Sequence, residues 1–163
     1  NSGFEIERSS ENNQWIKAGF VNGNGTTASL SNYRYTDRNL VSGKYNYRLK
    51  QIDYNGQFTY FNLNSEVNIG LPVKFDLSQN YPNPFNPATT INYDIPVDGK
   101  VSIILYDISG REVSKLVNEV KTAGYYTVNF YGTNLSSGIY FYRIISEGNG
   151  QNFVATKKMT LLK

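Results

Sequence analysis

Few side chains in this sequence could carry chemistry. Its 163 residues include no His and no Cys. That excludes the usual Ser-His-Asp and Cys-His nucleophile systems, zinc sites of the common donor types, and disulfides. Carboxylates remain, but their spacing is unpromising. Glu5 and Glu7 alternate with Phe4 and Ile6, which puts both acids on the solvated side of a strand and gives them no cleft for a hydrolytic pair. Asp53-Tyr54-Asn55-Gly56 begins like a calcium loop but lacks the later acidic ligands. Its Asn-Gly pair reads as a hairpin turn. Asn22-Gly23-Asn24-Gly25 is a Gly-rich loop without a following Lys or helix, so no phosphate cradle is expected. Asn24-Gly25-Thr26 and Asn134-Leu135-Ser136 match the glycosylation sequon, a pattern too common to carry weight. The reading is a chain without catalytic residues, metal site or cofactor.

Charge narrows the partners. Residues 1–71 carry seven basic and six acidic groups, and residues 72–163 carry nine and seven, for a net charge of +3. With the two signs so evenly mixed there is no basic stripe, and nucleic acid is not an expected partner. No apolar run is long enough to span a bilayer. The chain begins at Asn1 with no signal peptide in view, and reads as a processed or excised piece of a longer precursor.

The elements are legible from aromatics, glycines and prolines. Fourteen Tyr and nine Phe, with 14 Gly at turn-like positions, point to an all-β fold. All five prolines fall between Pro72 and Pro96. Proline cannot donate to a ladder, so this cluster connects two β-rich units and cannot be the middle of a sheet. The expected division is 1–70, a Pro-rich linker and lead-in at 71–88, and 89–163.

In the first unit strands are expected at Phe4–Arg8, Trp15–Val21, Ser31–Thr36, Lys44–Asp53 and Phe58–Ile69. In the last, the expected strands are Ile91–Ile95, Val101–Leu105, Val113–Val117, Tyr126–Phe130, Ile139–Ile145 and Phe153–Leu162. Asp107-Ile108-Ser109-Gly110 and Gly148-Asn149-Gly150 are the turns. Helix competes only at Glu112–Val120. Short strands at this spacing describe a sandwich. An internal echo joins the halves: Leu40–Leu49 and Leu135–Ile144 both read Leu-x-Ser-Gly-x-Tyr-x-Tyr-Arg-aliphatic. Recurrence of one turn solution in two sandwiches accounts for it without shared function.

Two family resemblances follow. Gly3–Ser9 and Tyr45–Asp53 resemble the third and sixth strands of fibronectin type III-like modules in bacterial surface proteins. On that resemblance the fold is two Ig-like or fibronectin III-like β-sandwiches in tandem. The first lacks its leading strands, which leaves an apolar face open to whatever strand completes it.

The second resemblance is denser. Asn80-Tyr81-Pro82-Asn83-Pro84-Phe85-Asn86-Pro87-Ala88-Thr89-Thr90-Ile91, then Ile95-Pro96 and Gly99, Tyr106–Val113, Ala123-Gly124-Tyr125-Tyr126, Leu135–Arg143 and Lys157–Lys163 follow one another in order. Residues 77–163 thereby resemble a type A C-terminal sorting domain of the type IX secretion system, found in Bacteroidetes and their relatives. The resemblance implies a non-catalytic label that sends a passenger through the outer membrane. Its partners would be the translocon, an outer-membrane shuttle and a surface sortase that cleaves upstream, within Ile69–Phe75, and attaches the passenger to the cell surface.

The candidate recognition residues are Pro82, Asn83, Pro84, Phe85, Asn86, Pro87, Gly99, Tyr106, Asp107, Gly110, Arg111, Gly124, Tyr126, Gly138, Tyr140, Lys157, Lys158, Met159, Leu161 and Lys163. Each also has a purely structural reading. The Pro and Asn residues could cap a sheet edge, Asp107 and Arg111 could pair locally across a turn, and the tyrosines could pack in the core. The terminal strand could serve as a handle for strand addition or only blunt an edge. An alternative reading is a structural subunit of an extracellular filament, self-associating through strand donation.

Overall fold

The computed structural model describes residues 1–10, 14–25, 27 and 29–163. Thr26 of the first sequon lies outside the described residues. Those described form strands and no helix, in the order β1 (Gly3–Ser9), β2 (Ile16–Asn22), β3 (Leu40–Val41), β4 (Gly43–Ile52), β5 (Phe58–Asn62), β6 (Val67–Ile69), β7 (Asp76–Leu77), β8 (Ala88–Ile95), β9 (Gly99–Tyr106), β10 (Glu112–Lys121), β11 (Gly124–Tyr131), β12 (Gly138–Gly148) and β13 (Gln151–Leu161). The fold is all-β and antiparallel, as the composition predicts. Two compact units form, one of Asn1–Asp37 with Ser42–Gly70 and one of Arg38–Val41 with Leu71–Lys163.

The first unit is a sheet ordered β2-β1-β4-β5, with β6 beside the start of β4. Its Asn-Gly hairpin forms as expected: Asn55 Oδ1 accepts from Gln57 N at 3.0 Å, and Gly56 sits at φ 82°. Two strand expectations are corrected. Ser31–Thr36 forms no strand. It lies across one face of the sheet, where the Tyr33 ring packs 4.9 Å from Phe4 and the Tyr35 hydroxyl donates to the Ala18 carbonyl. Side chains hold it there, because no described strand runs beside it to accept a ladder. Phe58–Ile69 is interrupted by a bend at Asn64-Ser65, which splits it into β5 and β6.

The two faces of this sheet differ. On one, Ile6 stands opposite Leu49 and Leu49 opposite Phe61, an apolar row in which Leu49 and Phe61 are 41% and 52% exposed. On the other, the Arg48 guanidinium lies 4.3 Å from the Trp15 ring centre and 4.0 Å from that of Tyr60, and donates to Glu7 Oε2 at 2.5 Å. Glu7 is therefore buried as the partner of a stacked arginine, which corrects the expectation that it lies on the solvated side of its strand.

The second unit packs two four-stranded sheets, β10-β9-β12-β13 and β3-β11-β8-β7. β8 alternates half-buried and buried residues along its whole length, the signature of one face turned to a core. Ile91, Ile95, Ile103, Leu105, Tyr142 and Ile144 are among the core side chains, contributed by both sheets. Strand wins over helix at β10, which pairs with β9 through two register shifts. Between β12 and β13 the loop has two residues, Asn149 (φ 49°) and Gly150 (φ 71°), the positive-φ pair that the right-handed twist of a tight hairpin favours.

Residues 71–88 do not stand apart as a linker. They belong to the second unit, where Asp76–Leu77 pairs with β8, and Leu77, Asn80 and Phe85 are buried. The prolines lie between short edge pairings, which satisfies both their missing N–H and the burial of their neighbours.

Candidate functional site

The Pro-Asn segment and the terminal strand, far apart in sequence, form one structure. β13 is an edge strand, and an unpaired edge invites pairing with other chains. The segment that precedes β8 runs along that edge. Phe85 N donates to Thr160 O at 3.0 Å and Leu162 N donates to Phe85 O at 3.0 Å, a parallel bridge. Asn83 Oδ1 accepts from Thr160 N at 2.9 Å, and Gln79 Nε2 donates to Lys158 O at 2.7 Å. Farther up, the Phe75 ring stacks on Phe153 at 5.0 Å. The end of β13 is therefore closed to strand addition by Gln79, Asn83 and Phe85 of the chain's own segment. From Gln151 to Thr156 its outer main chain has no partner among the described residues.

Side chains anchor this segment to the core. Phe85 is 1% exposed and meets Phe130 edge-on at 5.9 Å. Asn80, 1% exposed, donates through Nδ2 to Pro82 O at 3.0 Å and to Thr89 Oγ1 at 2.9 Å, and its own N–H donates to the Tyr142 hydroxyl at 2.9 Å. Tyr142 in turn donates to Ser78 O at 2.7 Å. Burial pushes the Tyr142 phenol up to about 12, opposed by the hydrogen bond from Asn80. Gly132 N donates to Pro87 O at 2.8 Å. The X–Pro bonds preceding Pro82, Pro84 and Pro87 are cis.

The remaining predicted residues divide into three groups. At the same end of the sandwich, Gly138 pairs with Leu161, and Tyr140 donates to Ser136 O at 2.8 Å. Lys163 donates through Nζ to Thr133 O at 2.8 Å, and its N–H donates to Ser137 Oγ at 3.0 Å. Met159 and Leu161 point into the core, while Lys157 and Lys158 are exposed.

A second group is a self-contained turn after Tyr106. Asp107 Oδ1 accepts from Ser109 Oγ at 2.6 Å, Ser109 N at 2.9 Å and Arg111 N at 3.1 Å, while Oδ2 accepts from Arg111 Nε at 3.0 Å. The Ser109 hydroxyl, with the main-chain donors and Arg111, holds the Asp107 carboxyl down at about 2. Gly110 takes φ 79°, and Ile108 is exposed at the tip.

The third group lies at the far end of β8. Gly124 pairs with Ile95, and Tyr126 stacks on Tyr93 at 5.4 Å and donates to Thr122 O at 2.6 Å. Gly99 has a packing reason: a Cβ there would lie 2.2 Å from the Glu147 carbonyl oxygen.

Sequence reasoning missed the roles of Gln79, Asn80, Thr89 and Tyr142. Asn80 and Tyr142 stood inside quoted motifs, but nothing local signals that one would cap the other across the sandwich. No group of three or more acidic residues that could hold a metal ion occurs among the described residues. What this end of the unit presents is exposed lysines and a Pro-Asn segment bonded to the end of β13.

The family described as "Secretion system C-terminal sorting domain" matches residues 79–160, half of the chain. Among solved structures, dimeric latent PorU from Porphyromonas gingivalis is similar over 76% of this chain, at 22% identity and a TM-score of 0.44. The similar region is 12% of that chain's length. No curated protein matches. No described helix is long and apolar enough to cross a membrane. The sorting domain is the mark of a protein exported by type IX secretion. This chain belongs to the family of type IX secretion C-terminal sorting domains.

Proposed function

We propose that the chain is a non-catalytic export label with a spacer in front of it, and that the machinery reads the end of the second unit where Pro82–Pro87 and Thr160–Lys163 meet. The observation that carries this reading is the convergence of two motif blocks, about 75 residues apart in sequence, on one edge of the matched domain. Lys157, Lys158 and Lys163 give that end a local positive charge, which suits an acidic receptor surface. The first unit serves as a fibronectin III-like spacer. The translocon and an outer-membrane shuttle bind the label, and a sortase cleaves within Ile69–Phe75 and leaves the passenger at the cell surface. The test is a signal-bearing reporter fused ahead of the whole chain. It is expected outside type IX-competent cells and inside the periplasm of cells lacking the translocon. Periplasmic retention of a folded fusion in competent cells would count decisively against the reading.

A second reading has one observation in its favour. Leu49 and Phe61, beside the buried Ile6, leave an apolar patch exposed, and a strand donated by another copy would cover it, as in an extracellular filament. Electron microscopy of secreted native material separates the two readings: ordered filaments favour the subunit, and dispersed particles favour the label.

A further inference from the structure

The outer edge of β11 holds a segment from far upstream. Leu40 pairs with Tyr125 and Val41 with Gly124, a ladder of two residues. Side chains on both parts reinforce it. Leu40 is 5% exposed. Asn39, at φ 61°, accepts from Thr127 N at 2.7 Å. Arg38 forms an ion pair with Asp94 and lies 5.9 Å from the centre of the Tyr125 ring. Gly124 makes room for the ladder, since a Cβ there would stand 2.7 Å from the Leu40 carbonyl oxygen. All the acceptor groups sit on β8 and β11, and all the ligand groups sit in four consecutive residues. That is the form of recognition by strand addition, in which main-chain bonds supply affinity and side chains supply selectivity.

We propose that the outer edge of β11 is a strand-acceptor site selective for a segment reading Arg-Asn-Leu-Val, turned at the left-handed Asn39 and extended only over Leu40–Val41. Its partner is a second copy of this chain, which carries that segment at Arg38–Val41. A tethered segment competes at an effective concentration of about millimolar. In dilute solution the chain's own segment therefore holds the site, and exchange between copies sets in as the chain concentration approaches that value. This inference is independent of the sorting reading, because it concerns the opposite end of β8 and needs no receptor.

The test uses the full chain. Arg38→Glu with Leu40→Asp empties the site, and a labelled peptide of residues 35–42 is titrated by fluorescence anisotropy. The emptied chain is expected to bind at least ten-fold tighter than the unaltered chain, whose site is filled. Adding Gly124→Val to the emptied chain is expected to abolish binding. Should the double variant not fold by circular dichroism, the triple variant Arg38→Ala, Asn39→Ala, Leu40→Ala takes its place. A folded, emptied chain that ignores the peptide, or binding untouched by Gly124→Val, would overturn the site. For the partner, the emptied chain is mixed with a Gly124→Val chain, whose segment is free. A 1:1 complex by light scattering is expected, and peptide binding without that complex would overturn the second-copy assignment.

Discussion

Tyr142 and Asp107 carry the sharpest expectations at the scale of single residues. Tyr142 is fully buried, and its hydroxyl serves both Ser78 O and Asn80 N. Tyr142→Phe would strand both main-chain groups and is expected to cost about 1–3 kcal/mol by urea denaturation at pH 7. Its phenol pKa is raised from 10.0 to about 12 in the fold. The stabilisation is thus fully present below pH 10 and disappears as pH rises through about 12. Alkaline unfolding in that window should be shallower in Tyr142→Phe than in the unaltered chain, and equal slopes would remove Tyr142 as the titrating group. Asp107 behaves in the opposite sense. Its carboxyl falls from 3.8 to about 2, so the turn it organises is intact above pH 3.8 and is lost only as pH falls through about 2. A carboxyl titration followed by NMR is expected to place its midpoint near 2; a midpoint near 3.8 would mean that the Ser109 and Arg111 contacts do not persist in solution.

Elements, not residues, decide how the Pro-Asn segment works. Phe85 plugs the core while its main chain bridges the end of β13, so one residue ties the segment to both sheets. Phe85→Ala is expected to cost about 3–5 kcal/mol in chemical denaturation, the range for emptying a packed aromatic site. A loss well under 1 kcal/mol would show the segment to be an ornament on the edge.

The long strands were legible in the sequence because burial on one face imposes alternation. Ile91, Tyr93 and Ile95 show it, and so do Tyr140, Tyr142 and Ile144. The short edges were not legible. β3 and β7 have two residues each, too few to carry a period, and exist because a neighbouring strand offers an edge. Ser31–Thr36 fails for the converse reason: the alternation is there, but no described strand lies beside it. The site was half legible. The motif blocks marked the residues, while only the fold revealed that Asn83 and Phe85 pair with Thr160 and that the last residues of β13 are thereby closed.

For the molecule as a whole, burial is divided unequally. The second unit has a core of sixteen buried side chains, whereas only Ile6 and Tyr45 are buried apolar residues among those described in the first. Apolar burial is the main favourable term in folding, so the units should differ in local stability. Hydrogen exchange is expected to protect the amides of β8, β9 and β12 about 100-fold or more beyond those of β5 and β6. Uniform protection would mean that the first unit is stabilised by something covering its exposed Leu49 and Phe61.

The most direct test of the proposed recognition surface spares the core. Lys157→Glu, Lys158→Glu and Lys163→Glu together reverse the charge of the end where the Pro-Asn segment meets β13, and are expected to leave stability within about 1 kcal/mol. Measured as the fraction of a fused reporter found outside type IX-competent cells, export of this folded variant is predicted to fall at least ten-fold, with the protein held in the periplasm. Export at the unaltered level would contradict the account and place recognition elsewhere on the domain.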